Sequence, residues 1–231
     1  QASAFAVPPR VWSVQGSTLV EAAPEPPEVV ARLTPPEAQL QLLRDAGLED
    51  ARLFPRDDGD WVLEVGVGQA DRELTVMLYG NLAPPDALAR VIASVDHIRR
   101  ADAEPHPLNR LVPERWLRWV AGQRPDLVGA VGVAPVCGPE PRRGLRERDL
   151  AFATLEGVDG STTLAAFSVG VDLDLVPIAG AARQVRSAEQ PLAVVVPERD
   201  AHDITRALAA GLRSPATLVT VPDGWREDTT P

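Results

Sequence analysis

The chain has 231 residues, room for one large domain or two small ones, and 45% apolar with 24% charged content is ordinary for a soluble globular protein. No apolar run approaches the ~20 residues that cross a bilayer, so no membrane contact is expected. The net charge is −10, and all 23 basic residues are Arg with no Lys, which excludes a P-loop lysine, pyridoxal-phosphate attachment and Ser–Lys dyads.

Cys137 is the single cysteine, so an intrachain disulfide and a multi-cysteine metal site are both excluded, and a reducing, cytoplasmic setting is expected. Charge is spread unevenly: −8 over residues 1–109, +3 over 110–149 and −5 over 150–231. An acidic chain repels nucleic acid unless a local basic face dominates, and only the middle segment offers one.

In chain order, residues 1–27 read as a Pro-rich extended segment, with "VWSVQGSTLV" as a short strand or hairpin and "EAAPEPPE" as a stiff connector. "TPPEAQLQLLRDAGL" predicts a helix, with Thr34 as N-cap, Glu37 closing a capping box and Gly47 as the stop. "ARLFPRDDGDWVLEVGVG" predicts two strands around an acidic turn, and "ELTVMLYG" a third. A helix follows in "PPDALARVIASVDHIRR", where Leu88, Val91, Ile92, Val95 and Ile98 form one stripe. Residues 28–100 thus form a small α+β domain of order ααβββα, and 101–109 reads as a linker.

Residues 110–224 form a second, α/β domain. "VPERWLRWVAGQRP" is a helix with Pro113 at its start and Gly122 and Pro125 at its end. "AVGVAPV" is a strand, and "DLAFATLEG" and "TTLAAFSVG" are two more, joined at "VDG". "LDLVPIAGAARQVR" and "DAHDITRALAAGL" are helices, each followed by a strand, "PLAVVVP" and "ATLVTV". The order is αβββαβαβ, and residues 225–231 read as a disordered tail.

The stretch "FSVGVDLDLVP" carries the sharpest question, because an apolar run closes on Gly170 and is followed by Asp172 and Asp174. If the strand continues, both carboxylates lie on one face and, with Asp149, would offer oxygen ligands to Mg²⁺ or Mn²⁺. If the strand stops at Gly170, Asp174 is the N-cap of a helix with Pro177 in its first turn.

A second constellation is basic. Arg142, Arg143, Arg146 and Arg148 follow Arg110, Arg115, Arg118 and Arg124, with Trp116 and Trp119 interleaved. Guanidinium groups and indoles together suit phosphates and stacked bases; the alternative is a solvated face neutralising Glu114, Glu140 and Glu147, with the tryptophans in the core. Asp200 ahead of His202 reads as a helix cap, Gly66-x-Gly68 as a hairpin turn, and Cys137 as an inert loop thiol.

The order αβββαβ over residues 113–197 resembles the core of the restriction-endonuclease-like, PD-(D/E)xK, superfamily. "PERWLRWVAGQRPDLVG" resembles the opening helix and "VDGSTTLAAFSVG" the hairpin that carries half of the family's motif. The resemblance covers about half the chain. It implies an Asp on the second strand and a Glu-x-Lys on the third, binding metal and activating water. Here the third-strand positions fall near Ala166 and Ser168, and Asp149 stands just ahead of the second-strand position. Metal-assisted hydrolysis needs the cation held first. The resemblance therefore implies a degenerate site; with no intact catalytic constellation in the sequence, the expectation is a non-catalytic binding module without cofactor, whose two units pack together or meet a protein partner. The two alternatives are a divergent metal-dependent nuclease or phosphodiesterase, using Asp149, Asp172 and Asp174, and a nucleic-acid-binding pseudo-nuclease using the Arg cluster.

Overall fold

A computed structural model describes residues 2–23, 51–55, 61–65, 90, 93, 97–104, 106, 109, 110, 112–136, 138 and 150–227. The protein is mixed α+β. Its centre is a five-stranded sheet of β5 (Gly132–Val136), β6 (Ala151–Glu156), β7 (Thr162–Phe167), β8 (Leu192–Pro197) and β9 (Thr217–Val221), in that spatial order. The first three strands are antiparallel neighbours; β7, β8 and β9 are parallel. Helix α1 (Pro113–Gln123) precedes the sheet, α2 (Leu175–Arg186) connects β7 to β8, and α3 (Asp203–Ala210) connects β8 to β9. Parallel neighbours require such crossovers, whereas β6 and β7 need only the turn at 157–161. There the Gly157 N–H donates to the Ser161 carbonyl, the Ser161 N–H donates to Asp159 Oδ1, and Gly160 takes a positive φ of 77°.

Strict alternation along three strands divides the core in two. Leu150, Phe152, Leu164, Ala166, Leu192, Val194 and Val196 face α2 and α3. Ala151, Ala153, Leu155, Ala165, Phe167, Ala193 and Val195 face α1, Val128 and Trp225. Successive side chains leave a strand on opposite faces, so a strand covered on both must be apolar throughout. Strand β8, "LAVVVP", is buried at all six positions for that reason.

Three boundary expectations change. The N-terminal segment is not merely extended: residues 2–4 form a short turn, and Ala4 is buried under α2 and against Leu212. Phe5 bridges to Leu212, the Ala6 N–H donates to the Gly211 carbonyl, and Ser3 and Gln184 exchange hydrogen bonds. Gly180 permits this approach, since a Cβ there would stand 2.9 Å from the Ala4 Cβ and 2.9 Å from Leu212 Cδ2. The linker 101–109 is docked in part, with the Asp102 N–H donating to the Arg226 carbonyl and the buried Asn109 donating to the Ile98 carbonyl. Nor does a loose tail start at 225, because Trp225 is fully buried.

Ahead of the sheet, β1 (Val11–Gln15) and β2 (Thr18–Ala22) form the expected hairpin, turning at Gly16 with φ 63°. Strands β3 (Ala51–Pro55) and β4 (Trp61–Val65) pair antiparallel, Ala51 opposite Val65. Residues 90, 93 and 97–99 are helical. The helix expected to start at Thr34, the strand "ELTVMLYG", Gly66 and Gly68 lie outside the described residues.

Candidate functional site

The parallel strands β7, β8 and β9 all end at one side of the sheet, where open α/β sheets hold their ligands. Strand β5 ends and β6 begins at that same side, since Val136 pairs with Phe152 and Ala151 with Phe167. The segments leaving it are 168–174, 198–204 and 222–227.

Strand β7 stops at Phe167, earlier than the expected Gly170. The Ser168 N–H still donates to the Val195 carbonyl, and Gly170 then turns the chain at φ 87°. Only glycine enters that region without strain. The turned amide donates to Asp200 Oδ2 at 2.7 Å. Beyond it, Asp172 Oδ1 accepts the Asp174 N–H at 2.9 Å, a turn that side-chain carboxylates commonly close. Asp174 stands at the N-cap position of α2 as the capping reading expects, but its side chain makes no cap; only its carbonyl enters the helix, accepting the Ile178 N–H. Neither carboxylate continues a strand face.

The expected cap role of Asp200 does not hold. His202 occupies the N-cap position of α3, while Asp200 closes a short turn of residues Glu198–Asp200 and sends its carboxylate back to Gly170. Arg199 Nε lies 3.9 Å from Asp200 Oδ1, and the Arg199 N–H donates to Asp223 Oδ1. The three loops are therefore fastened to one another, 170 to 200 and 199 to 223.

The C-terminal segment is fastened from behind. Arg124 donates to the carbonyls of Trp225 and Glu227, and Trp116 Nε1 to the Arg100 carbonyl. The indoles of Trp116 and Trp225 meet edge to face at 5.2 Å. The Arg226 guanidinium lies 4.7 Å from the Trp225 ring and 5.4 Å from that of Trp116, a geometry that attracts a cation to the ring faces. Desolvation and the nearby Arg199 hold the Arg226 pKa below its ordinary value, opposed by Asp200. Burial pushes Arg99 down to about 10, opposed by Glu114, so Arg99 is cationic at neutral pH.

Arg118 is buried, donating to the Phe152 carbonyl from the sheet-facing side of α1, so it presents no guanidinium to a surface ligand. Trp116 is likewise in the core. Arg142, Arg143, Arg146, Arg148, Asp149 and Cys137 lie outside the described residues. The third-strand positions of the nuclease resemblance, Ala166 and Ser168, are both buried, Ala166 beneath α2. Among the described residues no three His, Cys, Asp or Glu gather where they would hold a metal ion.

The fastening of Gly170 to Asp200 and the packing of Trp225 and Arg226 were missed in the sequence. A glycine just after one strand and an acid just after the next was the available signal for the first. No family model, curated protein or solved structure matches the chain.

Proposed function

We propose that the chain is a non-catalytic binding module on a restriction-endonuclease-like scaffold and acts through a protein partner. One observation carries this reading: where the resembled family places its third-strand carboxylate and lysine, this chain has buried Ala166 and buried Ser168. A methyl group ligates no cation, and a buried hydroxyl replaces neither a carboxylate nor a general base. The strand order supports the scaffold, with three antiparallel strands followed by a helical crossover to a parallel fourth.

The test is a Mg²⁺ and Mn²⁺ titration to millimolar concentration, followed by melting temperature. The expected result is no metal-specific shift. A rise seen with Mn²⁺ and abolished in Asp172→Ala would reject the reading and favour the divergent phosphodiesterase.

A further inference from the structure

The segments gathered at the C-terminal end of β7, β8 and β9 combine two features that the fold itself does not call for. The first is exposed aliphatic surface: Val171 is 55% exposed, Leu173 64% and Ile204 51%. Leu173 stands just ahead of α2 and Ile204 in the first turn of α3, and α2 and α3 are neighbours on the same face of the sheet. Single exposed aliphatics are ordinary; here Val171 and Leu173 lie on the fastened loop ahead of α2 and Ile204 opens α3, and the packing of α2 against α3 brings all three to the same end of the sheet. The second feature is charge. Segments 168–174, 198–204 and 222–227 carry Asp172, Asp174, Glu198, Asp200, Asp203, Asp223 and Glu227 against Arg199 and Arg226. Helix dipoles account for an acid at the start of α2 and of α3 but not for the excess.

We infer that this end of the sheet docks a basic segment of a protein partner that inserts apolar side chains between Val171, Leu173 and Ile204. The inference rests on the binding-module reading and gives it a surface and a partner chemistry. Charge selects the occupant. A nucleic acid would bring phosphates against the carboxylates, and a second copy meeting this surface isologously would bring the same carboxylates against themselves. An Arg- or Lys-bearing segment is attracted by the same charges, and its aliphatic side chains cover surface otherwise left in water. The tie of Gly170 to Asp200 holds the loop before the partner arrives, which lowers the ordering cost of binding.

The test uses the full chain and a fluorescein-labelled peptide of about a dozen residues, with Leu at helical spacing and Arg between, measured by anisotropy at several salt concentrations. The peptide is expected to bind, and to bind about tenfold more weakly once its Leu are Ser or the protein carries Val171→Ser, Leu173→Ser and Ile204→Ser. These three side chains are exposed, so the variant should melt with the wild type. Equal affinity for the Ser variant would reduce the effect to general attraction by an acidic protein and overturn the inference. So would equal binding of a Glu-for-Arg peptide, or no binding at all. Binding that emerges only when Arg142, Arg143, Arg146 and Arg148 are Gln would assign the surface to the chain's own segment and overturn it as well. Failure of the peptide with no metal-dependent melting shift sinks this surface alone; a metal-specific shift lost in Asp172→Ala sinks the underlying reading.

Discussion

On one face of the five-stranded sheet, α2 and α3 cover Leu164, Ala166, Leu192 and Val194 with aliphatic and small side chains. On the other face, α1 covers Ala165, Phe167, Ala193 and Val195 together with Trp116 and Trp225, and carries the buried Arg115 and Arg118. The same strands build both faces, since odd and even residues of one strand supply them. The first face spreads its burial over many small contributions. The second leans on two indoles, one of them four residues beyond the end of β9 in a segment whose Trp225 and Glu227 carbonyls accept from Arg124. Arginine tolerates that environment because its guanidinium is planar, weakly hydrated and attracted to ring faces.

The largest expected effect breaks the aromatic face. Trp225→Ala removes a fully buried indole and its contact with Trp116, and should cost about 3–5 kcal/mol in denaturant unfolding. On the aliphatic face, Leu164→Ala should cost about 2–4 kcal/mol, at the lower end if α2 settles into the space. Gly180→Val tests whether the N-terminal residues belong to that face: overpacking against Ala4 and Leu212 should cost about 1–3 kcal/mol, and removal of residues 1–5 should relieve part of it. Gly170→Ala, at φ 87°, should cost about 1 kcal/mol through backbone strain. Asp174→Ala should fall within about 0.5 kcal/mol, because the side chain makes no cap. A loss above about 1 kcal/mol there would restore the capping role expected from the sequence.

The sheet was legible because its information is local. Alternation in "AFATLE" and "TTLAAF", the uninterrupted run "LAVVVP" and the Pro-initiated α1 each sit within a dozen residues. What escaped was long-range. Nothing near Trp225 in the sequence marks it as core, because its partners Trp116 and Arg124 lie about a hundred residues away. Ala4 owes its burial to the space left by Gly180, and the Asp200 carboxylate is drawn from α3 by an amide that only the turn at Gly170 exposes. At the candidate site, the sequence singled out Asp172 and Asp174, but not the turn in which the Asp172 carboxylate accepts the Asp174 N–H.

In the proposed reading, Ala166 and Ser168 stand where a nuclease of the resembled family would need a carboxylate and a lysine, and both are buried. The most direct test of that reading is turnover of bis(p-nitrophenyl) phosphate and of single- and double-stranded DNA with Mn²⁺, alongside Asp172→Ala. Rates equal to buffer are expected for both proteins. Metal-dependent cleavage by the wild type that disappears in Asp172→Ala would contradict the reading.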